Sequence, residues 1–340
     1  MLRLPRFALE VPETVGQALA ALSTSEARLL AGGTDLLPNL KHRLETPSTL
    51  VSLHRLAALR GIALDEGARV LRLGTGVTLA TIAHDATVKV HAPSLAEAAA
   101  SVASPQIRRT ATLGGNVHLD TRCRYVNQTA LWRSAIGGCL KSGGTVCHVV
   151  EGGQNCVAAL SSDTVPVLVA LDAELVLASL VDGSEQRRTV PFARYFRSDG
   201  LRHTERARGE IATEVRVPLA TGPRRATYVK WRPRATIDFP LVSIALRFDL
   251  DGEHDEAVVT DARVVVGVLG SRPRVVSTAA AMGLRMRDET LPERVAEAVW
   301  RECKPLENVP YEAPYRRTLL RVLTRRAVAR LARVGAVGAT

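Results

Sequence analysis

Two glycine-paired stretches decide how this chain folds: Leu30-Ala31-Gly32-Gly33-Thr34-Asp35-Leu36 and Thr110-Ala111-Thr112-Leu113-Gly114-Gly115-Asn116-Val117. The first follows an apolar run at 27–31 that reads as a strand, and it opens a helical pattern over 35–44. Paired glycines let the backbone take positive φ and come close to a ligand. The N–H groups freed at such a strand-to-helix turn can cradle a phosphate. Asp35 falls at the helix cap or first turn, and Thr34 offers a hydroxyl. The second stretch repeats the same chemistry, with two glycines, flanking hydroxyls and an amide. Two such loops suit a dinucleotide diphosphate held between two subdomains. A third segment, Gly74-Thr75-Gly76-Val77-Thr78-Leu79, has the first two glycines of a nicotinamide-type fingerprint. Leu79 stands where the third is required, so the close helix–strand packing of that motif is not available.

Working outward, the first 60 residues read as β-α-β-α, with strands at 4–8, 27–31 and 49–52 and a helix at 15–22 entered through Pro12-Glu13-Thr14. A second unit begins near Gly61, with a strand at 70–73 and helices at 79–84 and 93–102. After 160 comes a helical start at 165–171 and strands at 174–179 and 214–217. Residues 227–231, 241–249 and 261–269 alternate or run apolar like antiparallel strands. Helices are expected at 294–302 and 315–334. In the last of these, Leu320, Leu323, Ala327, Leu331 and Val334 fall on one stripe, which reads as core. No internal repeat and no low-complexity linker interrupts the 340 residues.

The balance is basic, +11 formally, and almost all of it is arginine, with lysine only at 41, 89, 141, 230 and 304. The arginines are scattered, and no helix-turn-helix or zinc-finger pattern accompanies them. Nucleic acid is therefore not the expected partner. The amino terminus lacks an apolar signal region, and no run approaches the ~20 apolar residues of a membrane span. The expected compartment is the cytoplasm, with no membrane partner. No local Ser/His/Asp or paired-carboxylate arrangement argues for hydrolysis.

Four of the five cysteines, Cys123, Cys139, Cys147 and Cys156, fall within 34 residues at a spacing of C-x15-C-x7-C-x8-C. In a reducing compartment a disulfide is the poorer account. Four thiolates suit tetrahedral zinc or one iron–sulfur cubane equally, and the spacing names neither. His118 and His148 are further zinc-ligand types nearby, with a surface role as their default. Gly137-Gly138 and Gly143-Gly144 would let the segment turn tightly. Cys303, in a helical stretch, reads as a packed small hydrophobe.

These residues also carry a family resemblance. Ala31-Gly-Gly-Thr-Asp-Leu36 and Gln106-Ile-Arg-Arg-Thr-Ala-Thr-Leu-Gly-Gly-Asn116 resemble the two FAD-pyrophosphate loops of the medium, FAD-binding subunit of the xanthine dehydrogenase and carbon monoxide dehydrogenase family. Ser162-Asp163-Thr-Val-Pro166 with Leu171-Asp-Ala-Glu-Leu175 resembles the segment whose Asp meets the ribityl chain or adenosine ribose. Lys230 in Tyr-Val-Lys-Trp-Arg matches a lysine near the flavin, Asp238-Phe-Pro-Leu-Val-Ser243 continues the pattern, and Tyr315-Arg-Arg-Thr-Leu-Leu-Arg-Val-Leu323 resembles the family's last helix.

The resemblance implies an α+β fold: a two-subdomain FAD-binding domain of the molybdopterin dehydrogenase type, then a C-terminal α/β domain with a small antiparallel sheet and helices. The implied boundaries are 1–57, 58–217 and 218–340. The implied FAD contacts are Leu30, Ala31, Gly32, Gly33, Thr34, Asp35, Leu36, Thr112, Leu113, Gly114, Gly115, Asn116, Asp163 and Lys230. One departure stands out. Most such subunits pass almost directly from the second loop to the Ser-Asp segment, whereas here about forty residues intervene, at about 120–158, and hold the four cysteines. Asp120-Thr-Arg-Cys-Arg-Tyr-Val-Asn-Gln128 and Cys147-His-Val-Val150 are similar to the β subunit of 4-hydroxybenzoyl-CoA reductase, whose insert binds a [4Fe-4S] cluster. That similarity implies a cluster on the four cysteines and adds Asp120 and Tyr125 to the cofactor-binding residues. It further implies a molybdopterin-binding large subunit, a small [2Fe-2S] subunit and a ferredoxin donor. Two other readings stay open: an ordinary molybdenum hydroxylase acting on an aromatic or N-heterocyclic compound, and a zinc-stabilised binding protein without redox chemistry.

Overall fold

The computed structural model describes residues 2–23, 26–254 and 256–333. In the first stretch, β1 (Ala8–Glu10), α1 (Val15–Ala21), β2 (Ala27–Leu30), α2 (Leu36–Lys41) and β3 (Thr49–Ser52) form a parallel sheet in the order β1-β3-β2. Thr14 starts α1 with a capping box, its hydroxyl accepting from the Gln17 N–H while the Gln17 side chain accepts from the Thr14 N–H. Val15, Ala18 and Leu19 then bury against Ala27 and Val51 of the sheet.

The next stretch carries β4 (Ile62–Asp65), β5 (Val70–Gly74), α3 (Leu79–His84), α4 (Ala86–His91), α5 (Pro93–Ser101), α6 (Pro105–Arg108), α7 (Leu113–Val117), α8 (Ala130–Ala135), α9 (Thr164–Ala170), β6 (Glu174–Val181), β7 (Ser184–Pro191), α10 (Phe192–Tyr195) and β8 (Ile211–Pro218). Its five strands make an antiparallel sheet, β4-β5-β8-β6-β7. Leucines and valines of that sheet share one core with α3, α5 and α9.

The last stretch holds β9 (Arg224–Trp231), β10 (Val242–Leu250), β11 (Val259–Gly267), β12 (Arg274–Val276), α11 (Leu291–Glu302) and α12 (Ala313–Arg333), with an antiparallel sheet β12-β11-β10-β9. Val242, Ile244, Leu246 and Phe248 face α11 and α12, while Ala245 joins the core of the preceding stretch. A sheet covered on both faces explains why β10 is buried along nearly its whole length.

The α+β architecture is the expected one, with local differences. The first strand starts at Ala8 rather than residue 4, because Pro5 has no N–H for a ladder. Strand β7 was not expected, being polar and exposed; it pairs with β6 through an Asp182-Gly183 turn with both residues at positive φ. The last helix runs Ala313–Arg333, and Val334 lies outside the described residues. Cys303 sits just past the end of α11 and is fully buried, as a packed hydrophobe would be. Among the described residues no helix is long and apolar enough to cross a membrane.

Candidate functional site

The first glycine loop joins β2 to α2. Gly33 has φ +69°, a conformation that favours glycine. At Gly32 a side chain has no room, since a Cβ would lie 2.0 Å from the Thr110 carbonyl oxygen. The two loops thus touch through a contact that glycine alone permits. Among the described residues, the backbone N–H groups of Gly32, Gly33, Thr34 and Asp35 donate to no other protein group, which leaves a row of donors for an anion.

The second loop departs from expectation. Residues 113–117 form a helical turn, α7, capped by the Thr112 hydroxyl, which accepts from Gly115 N–H at 3.1 Å. Leu113 N–H donates to Val77 O at 2.9 Å, Gly114 N–H to Thr75 O at 2.8 Å, and Asn116 N–H to Thr112 O at 2.9 Å. Those donors are spent on the fold. Gly114 is required by packing, because a Cβ there would meet the Thr75 Cβ at 2.8 Å, whereas Gly115 is exposed. The Asn116 side-chain amide oxygen Oδ1 is likewise engaged, accepting from both the Ser162 and Thr164 hydroxyls at 2.7 Å and so tying this loop to the start of α9.

Asp163 and Lys230 come together. Both side chains are almost fully buried and pair at 3.0 Å, while the Tyr228 hydroxyl donates to Asp163 at 2.7 Å. Burial holds the Lys230 ammonium below its ordinary pKa against the opposing pull of Asp163. An ion pair this dry persists only when both partners are present.

The four clustered cysteines line one shared concavity. Gly137, Gly138 and Gly143 turn the segment there at positive φ, and Ser142 donates to the Cys139 sulfur at 3.3 Å. Among the described residues, however, no three His, Cys, Asp or Glu side chains are close enough to hold one metal ion. Burial pushes the Cys123 thiol up to about 11 and raises Cys156 too. Tyr125 lines this concavity, stacked 5.2 Å from the His148 ring, and so lies with the cysteines. Asp120 accepts from Lys141, another wall residue, at 2.6 Å.

Neither histidine has the role first weighed for it. His118 bonds Gly114 O at 2.8 Å and the Tyr195 hydroxyl at 2.7 Å through its two ring nitrogens, and burial drops its pKa to about 3. The His148 Nε2 is 2.6 Å from Gly138 O. The glycines at 74 and 76 are also structural: a Cβ at either would fall within 3 Å of the Leu59 carbonyl oxygen.

Residues 5–220 match the model for the FAD binding domain in molybdopterin dehydrogenase, and residues 227–331 the model for the CO dehydrogenase flavoprotein C-terminal domain. The chain belongs to the FAD-binding medium subunits of the xanthine dehydrogenase and carbon monoxide dehydrogenase family. Over 330 residues this FAD subunit is 28% identical to the carbon monoxide dehydrogenase medium chain of Hydrogenophaga pseudoflava, covering 95% of this chain and 96% of that one. The aldehyde oxidoreductase FAD-binding subunit of Escherichia coli K12 is 30% identical over 272 residues, 78% of this chain and 81% of that one. A solved structure of the Hydrogenophaga pseudoflava enzyme superposes with a TM-score of 0.76 over 96% of this chain and 97% of its own, at 25% identity. Quinoline 2-oxidoreductase from Pseudomonas putida 86 shares the fold, with a TM-score of 0.77 over 98% and 99% at 22% identity.

FAD fits what is present: free donors on the first loop and glycines at which side chains would fill the space between the loops. Sequence reasoning missed Arg122 and Arg133. Arg122 pairs with Asp35 of the first loop, and Arg133 donates to the His42 and Arg43 carbonyls behind α2. Both are scattered arginines to the eye, and the adjacency of Arg122 to Cys123 was the one signal available.

Proposed function

We propose that this FAD subunit also carries a [4Fe-4S] cluster on Cys123, Cys139, Cys147 and Cys156 and relays electrons for a molybdenum-dependent enzyme acting on an aromatic coenzyme A thioester. The observation that carries the reading is the arrangement of the thiols. They line one concavity, yet among the described residues no three ligand side chains reach single-ion spacing. Tetrahedral zinc with Zn–S near 2.3 Å would hold its sulfurs about 3.8 Å apart, and a cubane spreads its four thiolates wider. When bound, FAD would supply flavin redox chemistry and the cluster single-electron relay.

The chain's own part is to hold and to exclude. Gly32 to Asp35 offer N–H donors to the FAD diphosphate; Leu30, Ala31 and Leu36 flank them; Thr112 to Asn116 form the opposing wall; and Asp163 with Lys230 meets the polar part of the cofactor. Lys141, held by Asp120, lies in the wall of the cysteine concavity, where its charge would offset that of bound thiolates. Units at 1–57, 58–217 and 218–340 are supported by each span having its own sheet. Partners would be a molybdopterin large subunit and a small [2Fe-2S] subunit in the cytoplasm, with ferredoxin as donor to the cluster. The second reading, hydroxylation of an aromatic or N-heterocyclic compound, is favoured by the 37% identity over 117 residues to the nicotine 6-hydroxylase medium subunit of Paenarthrobacter nicotinovorans.

Iron, sulfide, zinc and FAD counts on protein purified without oxygen test the cluster. About four irons and one FAD per chain are expected. Stoichiometric zinc without iron would sink it. Reduction of the complex's flavin by reduced ferredoxin, rather than by substrate, separates the two enzymatic readings.

A further inference from the structure

The insert reaches back to the flavin loop at two points. At its root, Arg122 and Ala159 close the segment with reciprocal backbone hydrogen bonds of 2.8 and 2.7 Å, immediately beside Cys123. The Arg122 guanidinium pairs with Asp35, the cap of α2, and stacks 3.9 Å from the centre of the Phe239 ring in the C-terminal part. Asn39 holds the other Asp35 oxygen at 3.2 Å. Further along the insert, buried Arg133 in α8 donates to the His42 carbonyl at 2.9 Å and the Arg43 carbonyl at 3.1 Å. Those carbonyls close the far end of α2. Leu44, next in line, packs on the cluster of side chains that includes Cys123, Cys139 and Cys156.

One short helix is therefore gripped at both ends by the segment that carries the cysteines, and its leading end is the first glycine loop. A helix of six residues has little stability of its own, so its position is set by what holds it. Paired arginines that satisfy a partly buried carboxylate and two helix-end carbonyls are such a hold.

We infer that Arg122 and Arg133 are positioning residues that clamp α2, so that filling of the cysteine concavity and binding of FAD are thermodynamically coupled through this helix. The inference rests on the cluster and loop assignments proposed above. Ordering the insert around a bound group fixes both arginines; the loop donors are then preset, and FAD binds with less ordering cost. Reciprocity follows, since a coupling between two binding equilibria acts equally in both directions.

The test is FAD affinity, read from quenching of flavin fluorescence, in full-length protein whose cysteine site is iron-loaded or chelator-stripped, with iron counted per chain. Stripping the wild type should weaken FAD binding by about tenfold, within the usual range of such couplings. In R122Q/R133Q the loaded and stripped forms should bind FAD alike, and R122K, which keeps the charge, should retain part of the difference. Equal affinities for loaded and stripped wild type overturn the inference, as does a wild-type ratio in the double variant. If the wild type takes up no iron, the cluster reading fails separately. The clamp is then judged on R122Q alone: weakened FAD binding recovered by adding D35N supports it, because the unpaired carboxylate is removed, and unchanged binding overturns it. Far-ultraviolet circular dichroism on each variant identifies any that fails to fold, for which R122K stands in.

Discussion

Replacing Gly32 by alanine tests the contact on which the site is built. The new Cβ would sit 2.0 Å from the Thr110 oxygen and 2.7 Å from its carbonyl carbon, both backbone atoms. To reach even the 3.0 Å floor of real Cβ contacts, the two loops must part by at least 1 Å. Strain of this kind costs about 1–3 kcal/mol. Without FAD the loops can separate and relieve it. Binding must draw them back together, so the strain appears in the FAD dissociation constant, as a weakening of about 5- to 150-fold at 1.4 kcal/mol per tenfold. Flavin fluorescence titration measures it. Gly16→Ala is the control: nothing lies within 4 Å of a Cβ there, and alanine is favoured over glycine in the first turn of α1 by up to about 1 kcal/mol. It should raise the melting temperature and leave FAD affinity alone. Wild-type FAD affinity in Gly32→Ala would show that the cofactor does not need the two loops in contact, and the reasoning would fail.

Cys147→Ser should lose about four irons per chain on the stoichiometry of a cubane, yet keep its FAD, as metal and flavin analysis would register. Asp163→Asn leaves the Lys230 ammonium buried without its counter-charge and should cost about 3–5 kcal/mol in thermal or urea unfolding; Asp163→Asn with Lys230→Met should cost less than either single change. Stability should also fall as pH drops from about 6.5 towards 4. His118, held near 3, and His203, held near 4, stay neutral in the folded chain but take protons once unfolded. Urea midpoints across that range should flatten in His118→Gln, and an unaltered slope would reject its role.

The elements legible in the sequence were those whose pattern coincides with burial. Helices 79–84 and 93–101 and strand 174–181 each present an apolar face to one core, so their period was readable. Strand β7 was invisible because an edge strand exposed on both sides needs no apolar alternation, and only the Asp-Gly turn marked it. The second glycine loop was recognisable as a motif, but the sequence did not show that most of its N–H groups bond within the protein. Glycine pairs look alike in a string of letters, whether they leave N–H groups without a partner among the described residues, as at 32–33, or admit a neighbouring turn, as Gly114 admits Thr75. The difference lies in where the N–H groups go, and that is decided by residues 75 and 77, nearly forty positions away.

The site's polar groups are contributed by all three sheets. The free donors stand at the end of β2 in the parallel sheet; the opposing wall and Asp163 belong to helices packed on the five-stranded sheet; Lys230 and Tyr228 lie on β9 of the third. Asp163 meets Lys230 only when α9 packs against the sheet that carries β9. Gly32 meets Thr110 only when the parallel sheet docks on the second unit. Each of these contacts is long-range in sequence, and the Asp163–Lys230 pair is also dry, so each is lost together with the packing that makes it. A residue such as Arg122 can then matter beyond its own small surface. It joins Asp35 beside the first sheet, Ala159 at the root of the insert and Phe239 in the C-terminal part, at the place where three layers must agree on one geometry.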